Sequence, residues 1–160
     1  MSTSSFDPSV FLDATTTTAD ERRPPLPIEN PDDPNGLYTA MIGDISVASG
    51  TIEKGDKVGQ LWMSYVIALT VEVPSNLREA YGPTLRLTDR LFMDMTPQNT
   101  IDESKGRNRG RRAYREATGT NVAGQPFSMR MLTGKVVKLK LSHEEYQGNF
   151  IERIASVLAA

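Results

Sequence analysis

The stretch QLWMSYVIALTVEV, residues 60–73, constrains the fold more than any other part of the chain. Leu61, Met63, Tyr65, Ile67, Leu69, Val71 and Val73 alternate with Trp62, Ser64, Val66, Ala68, Thr70 and Glu72. A helix would scatter the two sets around its circumference, whereas a strand separates them into a hydrocarbon face and a mixed one. The β-branched and aromatic content favours the strand as well. The hydrocarbon face belongs in a core, which leaves Trp62 on the opposite side.

The neighbouring segments repeat the pattern. Strand 1 is predicted over 37–47, where Leu37, Thr39, Met41, Ile45 and Val47 alternate with Tyr38, Ala40, Ile42, Asp44 and Ser46. GTIEKGDKVG at 50–59 reads as the hairpin loop between these two strands. After the turn Tyr81-Gly82-Pro83, strand 3 is predicted over 84–95, with Leu85, Leu87, Leu91 and Met93 inward and Arg86, Thr88, Arg90 and Phe92 on the reverse. A short helix is expected at about 109–118, ended by Gly119. Strand 4 (135–141) turns Val137, Leu139 and Leu141 inward and Lys138 and Lys140 outward, and strand 5 covers 149–158 after the Gln147-Gly148 turn. Five strands with a helix between the third and fourth predict an all-β, five-stranded OB-type barrel. A small β-sandwich is the alternative arrangement.

Charge is divided along the chain. Residues 1–35 hold seven acids (Asp7, Asp13, Asp20, Glu21, Glu29, Asp32 and Asp33) against Arg22 and Arg23, while the remainder carries an excess of bases and the total is only −2. TTTT at 15–18 and prolines at 24, 25, 27, 31 and 34 leave this first segment without the means to continue a helix or build a core. An extended acidic tail over 1–35 is therefore expected ahead of one domain at 36–160, with Phe6, Val10, Phe11 and Leu12 as a short helical turn or docking anchor. The tail is expected to fold back over the basic face and weaken anion binding there. No apolar run approaches the ~20 residues of a membrane helix, and MSTSSFDPSV lacks the basic and apolar regions of a secretory signal. The chain is expected to be soluble and cytoplasmic. It contains no cysteine, which excludes disulfides and thiolate chemistry.

Catalytic signatures are missing. The single histidine, His143, stands between Ser142 and Glu144 in a segment that reads as surface, and no Ser-His-Asp set can be assembled around it. Asp44, Glu72, Asp89 and Asp94 lie on strands, but Asp89 falls on strand 3's apolar face, where it implies a bulge, a satisfied buried carboxylate or a different register. The 50–59 loop lacks GK followed by Ser or Thr and precedes a strand, so it is no phosphate-binding loop. Neither an enzyme nor a cofactor or metal is expected.

Nucleic-acid binding is better supported. Single strands are held by cations that follow the phosphates and by aromatic rings on which bases stack. Trp62 with Arg86, Arg90 and Phe92 supplies both on one predicted surface. KGRNRGRRAYR at 105–115 contributes Arg107, Arg109, Arg111, Arg112 and Arg115, and strand 4 contributes Lys138 and Lys140. The 105–115 run is read as an electrostatic border, some of whose charge solvates the helix.

The order GLYTAMIGDISVASG, a long apolar strand, YGPTLRLTDRLFMD, RRAYREATG, LTGKVVKLKL and YQGNFIERIASVL resembles a family of small bacteriophage early proteins. These are regarded as single-stranded DNA-binding proteins or OB-fold accessories of replication and recombination. The resemblance covers about residues 36–158 and implies an OB barrel that coats single-stranded DNA, with Trp62, Arg86, Arg90 and Phe92 on its platform. The partners expected are single-stranded DNA, further copies of the chain as a dimer or larger, and replication or recombination proteins, with no membrane. One departure is the ending IASVLAA, where bacterial relatives of this kind carry an acidic tail; here the acids lie at the other end. A non-enzymatic protein-interaction or virion structural module is the alternative function.

Overall fold

A computed structural model describes residues 5–160; residues 1–4 of the expected tail lie outside it. The protein is mostly β. Strands β1 (Tyr38–Thr51), β2 (Leu61–Glu72), β3 (Thr84–Phe92), β4 (Val136–Tyr146) and β5 (Asn149–Ala159) form one antiparallel sheet in the order β3-β2-β1-β4-β5. β3 and β5 are its two edges, and the sheet is not closed between them. Two short α-helices, α1 (Arg78–Tyr81), in the excursion before β3, and α2 (Arg109–Ala117), between β3 and β4, are accompanied by short 3-10 turns at Pro8–Leu12, Ser75–Leu77 and Met129–Leu132. Among the described residues no helix is long and apolar enough to cross a membrane.

β2 follows its alternation. Met63, Ile67, Leu69 and Val71 are buried in register with β3, where Leu91, Leu87 and Leu85 continue the same face. β1 is less simple. Tyr38, Ala40 and Ile42 point into the core, yet after a bulge at Gly43 and Asp44 the next core residue is Ile45. Two residues of β1 there oppose Ala68 alone, and the extra residue shifts the parity of the strand. Without it Asp44 would point inward.

Helix α2 covers the core near β5. Its glycine-bearing first turn lies so close to β3 that a Cβ on Gly110 would fall 2.8 Å from Leu91 Cδ2. Tyr114, buried on this helix, donates its hydroxyl to Asp89 Oδ2 at 2.7 Å. This explains the acid on an apolar face: Asp89 is a satisfied carboxylate that ties α2 to β3.

The segment before β1 is extended and docked rather than free. Leu26 is fully buried in the main core cluster. Its N–H donates to Glu152 Oε1 at 2.9 Å, and its carbonyl lies 2.6 Å from His143 Nε2, which is therefore the protonated ring nitrogen. Tyr38 and Tyr81 donate their hydroxyls to the carbonyls of Pro27 and Pro24. Burial opposes ionisation of Glu152, but the Arg23 guanidinium and Leu26 N–H hold its carboxyl below the ordinary value. Burial also pushes the Tyr38 hydroxyl up to about 12. A proline-rich sequence enters the core here because side chains of β4 and β5 satisfy its backbone.

Burial raises the Asp89 carboxyl above its ordinary value of 3.8, against the opposing hydrogen bonds from Tyr114 and the Arg90 N–H. A raised folded value means stability is lost as pH climbs from the unfolded carboxylate range through the folded one. Asp89→Asn, which keeps an acceptor for Tyr114, is expected to equal or exceed the parent in stability at neutral pH and to lose that advantage in acid. Tyr114→Phe should cost about 1–3 kcal/mol at neutral pH, because it leaves the buried carboxylate without this donor. Urea unfolding at the two pH values measures both; a neutral-pH loss in Asp89→Asn as large as that in Tyr114→Phe would contradict this account.

Candidate functional site

The outer face of β2 and β3 is assembled by cross-strand pairing. Ser64 stands opposite Phe92, Val66 opposite Arg90, Ala68 opposite Thr88 and Thr70 opposite Arg86. Trp62 lies one pair further along, beside Gly50 of β1. Its indole rests on that glycine: a Cβ there would sit 2.7 Å from the indole Nε1. The rings of Trp62 and Phe92 are 5.9 Å apart and tilted, and the Arg90 guanidinium lies 5.5 Å from the Phe92 centroid. Ser64, on the same face, is fully buried and its hydroxyl has no hydrogen-bond partner among the described residues. Phe92 is 62% exposed, so the pair offers an open ring to solvent.

Phe92 and Arg90 divide two hollows. One, of about 550 Å³, is lined by Arg90, Phe92, Asp94, Lys105, Arg107 and Arg109, and so joins the end of β3 to the start of the basic run. The other, of about 620 Å³, runs from Thr88, Arg90 and Phe92 to Arg153 and Ile154 of β5 across the open side of the sheet. Beyond Arg86 the outer face continues to an apolar hollow of about 400 Å³ beside Met41, Thr70, Pro83 and Val136.

Asn108 holds the first hollow open. It is buried in the left-handed conformation, with φ 54°, which asparagine tolerates better than most residues. Its Oδ1 accepts the Asp94 N–H at 2.7 Å, its Nδ2 donates to the Asp102 carbonyl at 3.0 Å, and its own N–H donates to Asp94 Oδ2 at 3.2 Å. The chain returning from β3 is thereby pinned beside the strand it left.

The cations expected at the site fall into two groups. Arg111 forks onto Glu103 at 2.7 and 3.3 Å, Arg112 is 3.9 Å from Glu116, and Arg115 stacks 4.2 Å from the Phe127 centroid while donating to the Thr120 carbonyl. Lys138 is 3.6 Å from Asp33 of the docked segment. These four are engaged by partners within the chain. Arg86, Arg90, Lys105, Arg109 and Lys140 have no ion pair among the described residues, and Arg107 reaches Asp102 only at 3.9 Å. Lys138 and Lys140 lie on β4, with β1 and β2 between them and β3. The structure thus gathers Trp62, Arg90, Phe92, Arg107 and Arg109, leaves Arg86 further along the same face, and sets the rest apart.

Three contributors were not singled out from sequence. Lys105 was visible only as part of its run. Asn108, ahead of a helix, carried the signal of a helix cap, although its side chain serves Asp94 instead. Gly50 carried the signal of a glycine at a strand end, where backbone and ring approach closely. The carboxylates Asp44, Glu72, Asp89 and Asp94 are occupied separately or exposed, and among the described residues no group of three or more His, Cys, Asp or Glu is placed to hold a metal ion.

Gly50→Ala should displace the indole, because the Cβ meets a rigid ring rather than a flexible chain end. The expected result is a shifted emission maximum from the only tryptophan with little change in unfolding midpoint; an unchanged spectrum would count against the packing described.

No protein-family model matches the chain, and neither does any curated protein.

Proposed function

We propose that the protein binds single-stranded DNA along the outer face of β2 and β3 and coats strands exposed in replication or recombination, in the host cytoplasm if it is phage-encoded. In this reading the sheet is an OB-type barrel whose seam lies between β3 and β5. The observation that carries the proposal is the hollow where exposed Phe92, next to Trp62, faces Arg90, Lys105 and Arg109, none of which has an ion pair among the described residues. Unpaired cations beside an exposed aromatic ring are the two elements that a phosphate backbone and its bases require. Binding of this kind needs no catalytic group.

A protein-interaction or virion structural module is the second reading. It is favoured by the turn at Pro8–Leu12, where Val10, Phe11 and Leu12 are exposed, as is Phe6 just before it. It predicts that oligonucleotides leave Trp62 emission unchanged.

Titration with oligo-dT should quench Trp62, with affinity falling steeply as salt rises. Arg90→Ala and Arg109→Ala are each expected to reduce the salt slope by about 0.7, the value for one phosphate contact on a single strand. Phe92→Ala should cost about 1–3 kcal/mol of binding. Arg112→Ala, whose partner is Glu116, should change little. Absence of quenching and of any mobility shift at low salt would overturn the proposal. The expected competition from the acidic segment has its own test: Asp13→Asn with Asp20→Asn and Glu21→Gln should tighten binding at low salt, and unchanged affinity would remove it.

A further inference from the structure

β1 is hydrogen-bonded to β4 only through its first part. Beyond the Ile42 N–H, which donates to the Lys135 carbonyl, and the Ile42 carbonyl, which accepts from Gly134, that side of β1 has no backbone partner among the described residues. The direction of the remaining groups follows from β2. The Met63 carbonyl accepts from the Met93 N–H, so the odd residues of this part of β2 address the β3 side, whereas Trp62, Ser64 and Val66 address β1. Their partners Gly50, Ala48 and Ser46 are therefore the residues of β1 bonded to β2. Ile45, Val47, Ser49 and Thr51 turn their N–H and C=O groups to the open side.

That edge lacks the usual guards. ISVASGT, residues 45–51, has no charge and no proline, and its Ser46, Val47, Ser49 and Thr51 are exposed, with Val47 at 61% although it belongs to the inward face. Soluble proteins blunt such edges with lysine, proline or a covering segment. The other two free edges carry charge: Arg86 and Arg90 on β3, Glu152 and Arg153 on β5.

We propose that a second copy of this chain pairs with the edge, antiparallel and about a two-fold axis at Ala48. The register is set by the hydrogen-bonding parity. Centring on Ala48 brings Val47 of one copy against Ser49 of the other and Ile45 against Thr51, so every outward group of the segment finds a partner and each copy uses the same surface. Ser46 then faces Gly50, small against small, and no charged residue of either edge segment is enclosed. The sheet becomes continuous between copies and both Trp62 faces lie on the same side of it. The interface stands independently of nucleic-acid binding.

The absence of cysteine makes the test clean. Directly opposed residues of a non-hydrogen-bonded antiparallel pair have Cα atoms about 4.5 Å apart, within the range a disulfide accepts. Ala48→Cys should therefore convert the full-length protein to a covalent dimer under mild oxidant, whereas Ser46→Cys, facing Gly50, should not. In light scattering the parent should show twice the mass of a single chain. Ser49→Pro, which removes an outward N–H that no intrachain bond uses, and Val47→Lys should halve that mass with circular dichroism and Trp62 emission unchanged. A parent that stays monomeric across the micromolar range overturns the proposal. So does a dimer in which Ser46→Cys cross-links as readily as Ala48→Cys. The cysteine pair decides the matter even if Ser49→Pro fails to fold.

Discussion

The fold depends on a single extra residue in β1. This strand is where the β2–β3 and β4–β5 arms meet, and the bulge at Gly43 and Asp44 lies between the part held on both sides and the part held on one. The bulge lets a fourteen-residue strand turn Tyr38, Ala40 and Ile42 inward before it and Ile45 inward after it although their parity differs, and it adds the local bend that bulges impose. A Cβ on Gly43 would lie 3.4 Å from the Ala68 carbonyl oxygen, at the near limit of ordinary contact. From this bend follow the core at Tyr38, Ala40 and Ile42, the platform beside Gly50, and the unpaired edge beyond Ile45.

The basic run after β3 divides its work by the position of acids that lie outside it. Glu103 and Glu116 take Arg111 and Arg112, and the ring of Phe127 takes Arg115. Partnered arginines on a helix surface stabilise by only ~0.3–1 kcal/mol apiece, and their effect is mainly to anchor α2 and the loops around it. Lys105 and Arg109 are left facing Phe92 across the hollow that Asn108 holds open. One dense cluster thus supplies both scaffold and free charge.

Buried polar contacts join the layers in the same way. Tyr114 and Asp89 connect α2 to β3, and Glu152 and His143 bind the backbone of Leu26 to β4 and β5. Each places a group that would be costly alone in the core next to the partner that makes it tolerable. Burying Leu26 contributes about 1.5–3 kcal/mol, and that contribution is realised only because both ends of its peptide are satisfied.

What the sequence determined by itself was the side on which residues fall in β2 and β3, though not in β1 beyond its bulge. Period-two alternation in β2 and β3 places Trp62, Arg86, Arg90 and Phe92 on one surface, because a strand has no other way to bury Leu69 and Leu87 together. The helix at Arg109–Ala117 was readable from its flanking glycines and small residues, and the expected limits of the strands differ from those observed chiefly where β1 and β4 run on into hairpin ends. Only the tertiary structure decided which cations are free, since Asp33 reaches Lys138 and Asn108 reaches Asp94 across spans that no local pattern encodes. The same holds for Leu26: composition marks its segment as unable to fold alone, and it enters the core because Glu152 and His143, far along the chain, complete its hydrogen bonds. Parity is local; partnership is not.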